Sequence, residues 1–154
     1  MAKKHRILII DDSEPTIAGL EAYLGGKYHI LTALNGRDGI RIFEKNEKRI
    51  HLVLTDLILP DLAGSDLVSL IKNRTPEKPV IGMTGWEYDP EGFEFKLNMD
   101  LMLKKPFEME ELDLALEKLI SKMHTKKIRS RATPKKTQAI TPDFIEHITK
   151  SIFM

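Results

Sequence analysis

An apolar run of strand length that ends in an aspartate constrains this chain more than any other feature. Residues 52–55 read Leu-Val-Leu-Thr, Asp56 follows them, and Pro60 and Gly64 interrupt the next segment. We therefore expect a buried strand that opens into a loop at Asp56. A lone aspartate after such a run often only caps the next turn. At the carboxyl end of a parallel strand it would instead face the crevice in which open α/β sheets bind ligands, so the other strands decide between the two interpretations.

Three further short runs also end at side chains that carry a charge or a hydroxyl group. They are residues 7–10 before Asp11 and Asp12, residues 80–83 before Thr84, and residues 100–104 before Lys105. Residues 28–33 read as one more strand. Segments with turn residues or helical spacing of apolar residues separate these runs. The expected helices cover residues 15–24, a segment that begins at Asn35 and Gly36, a segment up to residue 73 with Ser65 as its N-cap, residues 89–97 with little periodicity, and residues 108–123.

Five strands that alternate with five helices predict an α/β fold with a parallel sheet covered on both faces. Parallel strands need crossover connections, and these crossovers are right-handed. The carboxyl ends of the first, third, fourth and fifth strands then share one edge of the sheet. The side chains expected on that edge are Asp11, Asp12, Asp56, Thr84 and Lys105.

These five side chains form a chemically consistent set. Three neighbouring carboxylates raise one another's pKa unless a cation lies between them, and Mg²⁺ prefers oxygen ligands. An aspartate can also be a nucleophile towards phosphorus, and phosphoryl transfer needs positive charge and donors around the phosphoryl oxygens. Lys105 and Thr84 would supply these. The sequence therefore predicts a magnesium site that accepts a phosphoryl group on Asp56.

The composition is that of a soluble globular protein of 154 residues, with 42% hydrophobic and 31% charged residues. No run approaches the roughly 20 apolar residues of a membrane span, so no membrane association is expected. The chain contains no cysteine, which excludes disulfides and thiolate chemistry and agrees with a cytoplasmic location. None of the five histidines is assigned a catalytic role, because a lone histidine is more often a surface or packing residue.

Charge divides the chain into two parts. Residues 1–124 hold 17 lysine and arginine residues against 21 aspartate and glutamate residues, whereas residues 125–154 hold 7 against 2. We expect a domain over residues 1–124, then a basic linker and a short amphipathic helix that begins near Thr141. The basic run has no interleaved aromatic residues, so we do not expect nucleic-acid binding. The short helix must dock on its own domain, a second copy or another protein.

Four segments carry a resemblance to a known family. They are Ile9-Ile10-Asp11-Asp12, residues 56–64 from Asp56 to Gly64, Met83-Thr84-Gly85, and Lys104-Lys105-Pro106-Phe107. Over residues 5–124 the chain resembles the receiver domain of two-component response regulators, the family that includes the single-domain chemotaxis regulators. This resemblance implies a doubly wound (βα)5, flavodoxin-like three-layer sandwich with strand order 2-1-3-4-5.

The resemblance also implies roles for individual residues. Asp56 would be the phosphoacceptor and would form an aspartyl phosphate with a phosphoryl group from a sensor histidine kinase or a phosphotransfer protein. Asp12, Asp56 and the backbone carbonyl of Ile58 would bind Mg²⁺ directly, and Asp11 would position the metal through water. Lys105 would pair with the phosphoryl oxygens, and Thr84 would move towards them as the switch.

The output partner is not implied by any residue. The face made by the fourth predicted helix, the fifth strand and the fifth helix would change on phosphorylation and bind an output protein. A homodimer through this face or through the tail helix is an alternative. By this reading the protein is a signalling switch in a phosphorelay and not an enzyme.

Three residues depart from the family pattern. Met102 stands where the family often has the tyrosine or phenylalanine that turns inward with the switch threonine. Ile58 and Trp86 are bulky apolar residues near the path of hydrolytic water. They either cover the edge of the sheet without further effect, or they exclude water and prolong the life of the acyl phosphate.

Two other functions stay open. In the first, the chain is a Mg²⁺-dependent phosphohydrolase with an aspartyl-phosphate intermediate, although Ile58 occupies the position where a second general acid would stand. In the second, it is an interaction module that acts through the tail helix without phosphorylation. The presence of all five site groups counts against this second alternative.

Overall fold

The described part of the chain forms a five-stranded sheet in which every pair of neighbouring strands is parallel. The computed structural model describes residues 3–85 and 99–132, with the side chains of residues 126–132 excepted. The strands are β1 (Arg6–Ile10), β2 (His29–Ala33), β3 (Leu52–Asp56), β4 (Val80–Thr84) and β5 (Leu101–Lys104). Their order across the sheet is β2-β1-β3-β4-β5. The predicted parallel α/β architecture and strand order are thus confirmed.

Four helices occur in the described part of the chain. They are α1 (Glu14–Leu24), α2 (Gly36–Asn46), α3 (Gly64–Arg74) and α4 (Met109–Ala132). The fourth helix expected from the sequence, over residues 89–97, lies outside the described residues.

The first two helices are capped by the side chains of Ser13 and Asn35. The Ser13 hydroxyl accepts a hydrogen bond from the Thr16 backbone amide at 3.3 Å, and the Asn35 side chain accepts one from the Asp38 amide at 2.8 Å. The expectation of Ser65 as the cap of the third helix is wrong. Helix α3 already begins at Gly64 after an extended Ala63, and no side chain caps it.

The sheet separates two apolar cores, which makes the fold a three-layer sandwich. Side chains alternate along β1, so Ile7 and Ile9 pack with residues of α1 and α4 on one face. Leu8 and Ile10 pack on the other face with residues of α2 and α3. Burial of a side chain of this size stabilises the fold by roughly 1.5–3 kcal/mol. Because both faces are covered, ligands reach the sheet only at its edges and ends.

A buried lysine anchors the start of β5 to the preceding part of the sheet. The Lys72 ammonium is only 9% exposed and donates to Asp100 Oδ2 at 2.7 Å and to the Lys78 carbonyl at 2.8 Å. The same Asp100 oxygen accepts a hydrogen bond from the Val80 amide at 2.8 Å. This network ties α3, the start of β4 and the start of β5 together.

The last helix runs further than expected. The sequence predicted a linker from residue 125, but α4 continues to Ala132. The reason is that residues 124–132 contain neither glycine nor proline and are rich in lysine and arginine, which favour helix. The chain divides into two compact units, residues 1–120 and residues 121–154. The tail helix expected from Thr141 lies outside the described residues.

In the described part of the chain, no helix combines the length and the apolar character of a membrane span.

Candidate functional site

The carboxyl ends of the strands bring the predicted site residues to one edge of the sheet. Asp11 follows β1 directly, Asp56 is the last residue of β3, and Thr84 is the last residue of β4. The parallel register pairs Ile10 with Thr55 and Asp56 with Met83, so these strand ends are level with one another. Five strands of similar length therefore present their terminal side chains together.

Three carboxylates converge at this edge. Oxygen atoms of Asp11, Asp12 and Asp56 all lie within 4.8 Å of one another. Asp11 is fully buried and Asp56 is 8% exposed, whereas Asp12 is exposed to solvent. Two nearly buried carboxylates need a cationic partner, since burial without one disfavours the charged form strongly.

Lys105 supplies that partner. Its ammonium lies 2.7 Å from Asp11 Oδ2 and 3.0 Å from Asp56 Oδ2. Burial works to lower the pKa of Lys105, but the hydrogen bonds and charges of Asp11 and Asp56 outweigh it and raise the pKa above its ordinary value. The lysine is therefore a fixed positive charge beside the Asp56 carboxylate at neutral pH.

Backbone amides orient both buried carboxylates. The Ser13 amide donates to Asp11 Oδ1 at 2.9 Å, and the Ile58 amide donates to Asp56 Oδ1 at 3.0 Å. In each aspartate one oxygen is held by an amide two residues later and the other by Lys105. Each carboxylate is therefore fixed at both of its oxygen atoms.

Thr84 lies on the same edge, but its hydroxyl points to its own neighbour. The Thr84 Oγ1 donates a hydrogen bond to the Gly85 carbonyl at 2.9 Å, and the Thr84 carbonyl accepts one from the Lys105 amide at 2.6 Å. The structure therefore brings Asp11, Asp12, Asp56 and Lys105 together directly, whereas Thr84 joins them through its backbone.

Sequence reasoning assigned no role to Asp61, which holds the loop after β3. Its carboxylate accepts hydrogen bonds from the Gly36 amide at 2.8 Å and the Arg37 amide at 2.9 Å, the first two amides of α2. These two backbone hydrogen bonds lower the pKa of Asp61, and the bond from the Arg37 amide has the larger effect. The signal in the sequence was the helix start at Asn35, but the separation of 25 positions between Gly36 and Asp61 hides the pairing.

The residues that depart from the family pattern are only partly described. Ile58 is 47% exposed at the edge of the sheet, as expected for a side chain that could cover the site. Met102 is partly buried and packs against the core on the α2 and α3 face. Trp86 lies outside the described residues. The effects of these three residues on the switch and on hydrolysis stay predictions.

The site fits a hard divalent cation. All three candidate ligands are carboxylates, they lie close enough to share one ion, and the exposed Asp12 leaves room for water ligands. One ammonium cannot balance three carboxylates. The cluster therefore retains a net negative charge that favours a divalent cation.

A cavity of about 450 Å³ opens beside this cluster. It lies between the first half of α1 and the segment after β5, and Pro15, Leu20, Lys105 and Phe107 are among the residues that line it. Mostly apolar walls therefore meet the charged site at the Lys105 side chain.

Comparison with protein families gives a match to the response regulator receiver domain over residues 7–117. Among curated proteins, the transcriptional regulatory protein RprY of Bacteroides fragilis is 31% identical over 82% of this chain and 54% of its own length. Histidine kinase P4 of Formosa agariphila is 29% identical over 93% of this chain and 10% of its own length. The chain thus spans about half of the first relative and a tenth of the second.

Solved structures give the same result. A response regulator receiver domain protein from Clostridium thermocellum superposes with a TM-score of 0.73 at 31% identity, and the match covers 79% of this chain and 98% of the other. The non-phosphorylated HemR receiver domain from Leptospira biflexa superposes with a TM-score of 0.68 at 30% identity, over 77% of this chain and 95% of the other.

Proposed function

Because this chain belongs to the response regulator receiver domain family, we propose that it takes a phosphoryl group onto Asp56 and thereby changes its binding to another protein. The observation that carries the proposal is the Lys105 ammonium, which bonds both Asp11 and Asp56. An ammonium placed there stabilises the negative charge of the phosphoryl oxygens as the phosphoryl group reaches Asp56.

The chemical step is a displacement at phosphorus. A carboxylate oxygen of Asp56 attacks the phosphorus of a phosphohistidine, the new P–O bond forms, and the P–N bond to the imidazole breaks. The leaving nitrogen takes the electron pair of that bond and is protonated by solvent. Lys105 then pairs with a phosphoryl oxygen, because its ammonium already lies 3.0 Å from the Asp56 carboxylate.

Asp11, Asp12 and Asp56 would hold Mg²⁺, with the Ile58 carbonyl as a further oxygen ligand. When bound, the ion neutralises charge on the phosphoryl oxygens in the transition state. The protein contributes fixed ligands. The amides of Ser13 and Ile58 restrain Asp11 and Asp56, and the solvent-exposed Asp12 completes the carboxylate set.

We propose that Thr84 carries the conformational switch. Its hydroxyl is bonded to the Gly85 carbonyl in this structure and would exchange that partner for a phosphoryl oxygen. Hydrogen bonds to charged oxygens are about twice as strong as neutral ones, so the exchange favours the phosphorylated conformation. The phosphoryl group can shift the population only through such differential contacts.

We propose that the donor is a sensor histidine kinase or a phosphotransfer protein in the cytoplasm. The cavity between α1 and the segment after β5 opens beside Lys105 and leaves this side of the site accessible to the donor. We propose a switch and not a phosphohydrolase, because the exposed side chain two residues after Asp56 is that of Ile58, which can donate no proton. We propose that the partner of the switch is an output protein, with a second copy of this chain as the alternative.

Incubation with acetyl phosphate and Mg²⁺, followed by intact-protein mass measurement, tests the proposal. The wild type should gain one phosphoryl group, and Asp56→Asn should gain none. Asp66→Asn is the matched control, since it removes an exposed aspartate from the first turn of α3. Equal labelling of the wild type and Asp56→Asn would reject Asp56 as the acceptor, and labelling without Mg²⁺ at the same rate would reject the metal.

A further inference from the structure

A second charged cluster lies at the opposite end of the sheet from Asp56. It surrounds a cavity of about 590 Å³ at the amino ends of β1, β2 and β3. Four of the residues that line it are cationic: Lys3, Lys4, Arg6 and Arg49. The other three are histidines: His5, His29 and His51. None of the described residues that line this basic cluster is acidic, although residues 1–124 carry a net charge of −4.

Among the residues that the structure describes, no carboxylate forms an ion pair with the lysine or arginine side chains of the basic cluster. Lysine and arginine residues elsewhere, such as Lys27 and Arg74, do pair with glutamates. Like charges that converge on one cavity repel, and a bound anion relieves this repulsion.

Hydrogen bonds of the backbone hold the part of the cluster formed by His5, Arg6, His29 and His51. The His29 amide donates to the His5 carbonyl, and the His51 amide donates to the Arg6 carbonyl, both at 2.9 Å. The Arg6 amide in turn donates to His51 Nδ1 at 2.9 Å. Three neighbouring strands are thus linked at their first residues. A ligand therefore meets a preformed site, and little ordering of the backbone opposes binding.

The histidines do not form a metal site. His51 Nδ1 already accepts a hydrogen bond, so the neutral ring carries its proton on Nε2. The rings of His5 and His51 pack edge to face with their centroids 5.0 Å apart. In the described part of the chain, only the Asp11, Asp12 and Asp56 group has the mutual spacing of metal ligands. The charge and donors of the cluster are instead those of an anion site.

We propose that the basic cluster binds a free oligophosphate group, either an inorganic oligophosphate or the phosphate chain of a nucleoside polyphosphate. Four cations match an anion with several charges, and arginine and lysine are the usual partners of phosphate oxygens. The cavity volume falls in the range of small-ligand sites, roughly 300–1,000 Å³. None of the described residues that line it is Phe, Tyr or Trp, so the phosphate groups are the part that these residues recognise.

Isothermal titration calorimetry with sodium tripolyphosphate, at low ionic strength and without added metal, tests the proposal on the full chain. The wild type should bind saturably at one site. Lys4→Glu combined with Arg49→Glu should weaken binding about tenfold or more, because each substitution replaces an attraction with a repulsion. Both residues are exposed, and circular dichroism melting verifies the fold. If the double variant misfolds, Lys4→Gln with Arg49→Gln replaces it, with the same direction expected.

Two controls distinguish binding at the basic cluster from an effect of net charge and from phosphorylation of Asp56. Lys118→Glu combined with Lys122→Glu makes the same charge change at exposed positions outside the cavity and should alter the Kd less than about twofold. Asp56→Asn should bind like the wild type, so failure of the phosphoacceptor proposal leaves this one intact. If the control variant at Lys118 and Lys122 weakens binding as much as the variant at Lys4 and Arg49, the oligophosphate site is overturned. Heats that never saturate would overturn it as well.

The source of the phosphate is tested by competition. Free tripolyphosphate should displace the protein from vesicles that contain a phosphoinositide, and it should also displace a short single-stranded DNA. Binding to the vesicles or to the DNA that excess tripolyphosphate cannot displace would assign the cluster to a lipid surface or a nucleic acid and would overturn the proposal of a free anion.

Discussion

The crowding of three carboxylates around one ammonium predicts that removal of a carboxylate stabilises the metal-free protein. Asp12→Asn is the informative change, because Asp12 is exposed whereas Asp11 and Asp56 are buried and bonded to Lys105. Asparagine keeps the size of the side chain and removes its charge. The variant therefore tests electrostatic repulsion with little change in packing.

The magnitude follows from the geometry. At the 4.8 Å limit that encloses the three groups, two unit charges repel by about 1 kcal/mol at the dielectric constant of water and by about 3.5 kcal/mol at an effective value of 20. Asp12 faces two carboxylates, solvent screens it, and Lys105 cancels part of the field. We expect a net gain of roughly 1–3 kcal/mol in the free energy of unfolding without metal, which corresponds to a Tm increase of about 4–12 °C.

Magnesium should remove or reverse this difference. The ion binds only the folded state, and at a concentration of 100 Kd it stabilises the protein by about 2.7 kcal/mol. Asp12→Asn lacks one charged ligand and should gain less. Urea unfolding followed by far-UV circular dichroism, in EDTA and in saturating Mg²⁺, measures the free energy of unfolding of each protein without and with the metal. Glu21→Gln on the exposed surface of α1 is the control and should leave both values nearly unchanged.

A specific result refutes this reasoning. If Asp12→Asn is less stable than the wild type in EDTA, repulsion among the carboxylates does not dominate the site. If the wild type and Asp12→Asn gain the same stability from Mg²⁺, Asp12 is not a ligand, and the metal proposal must exclude it.

Three further predictions concern the scaffold of the site. Lys72→Met should lower the free energy of unfolding by about 2–4 kcal/mol in urea titrations, because it leaves the Asp100 carboxylate, held by the Val80 amide, without its cation. Gly64→Ala should cost roughly 1–3 kcal/mol and slow labelling by acetyl phosphate, since a Cβ there would lie 2.5 Å from the Leu57 Cα, next to Asp56; an unchanged labelling rate would contradict it. The lowered pKa of Asp61 predicts a contribution to stability that is complete above pH 3.8 and is lost as the pH falls through the lower pKa of the folded state. The urea midpoint of Asp61→Asn should therefore lie below that of the wild type at pH 6. The two midpoints should approach each other in acid.

The alternation of strands and helices was predictable because each strand carries its own local signal. Residues 7–10 and 52–55 are short apolar runs that end at aspartates, and such runs are typical of buried parallel strands. Parallel pairing then forces the strand ends to one edge, which places Asp11, Asp56 and Lys105 together without knowledge of any contact. The caps at Ser13 and Asn35 are likewise local.

Interactions between distant segments were not predictable. The carboxylate of Asp61 reaches amides 24 and 25 residues earlier in the chain, and Lys72 pairs with Asp100, 28 residues later. The N-cap assignment at Ser65 failed because α3 begins two residues earlier than that assignment implies, at Gly64, which fits against Leu57. The end of α4 was placed too early because a charge run was taken for a linker, although lysine and arginine also favour helix.

Hydrogen bonds to distant segments restrict the length of both connections that flank α3, and the bonds of Asp61 to the first amides of α2 restrict the loop after β3. A residue inserted between Asp61 and Gly64 would pull the carboxylate away from α2 or displace the backbone that leads to Asp56. The turn at residues 76–78, at the other end of α3, is held as well, because the Lys78 carbonyl accepts a hydrogen bond from the buried Lys72 ammonium and the Lys78 ammonium donates to the Glu47 carbonyl. Tags or reporter segments intended to leave phosphorylation intact should therefore be kept out of both connections.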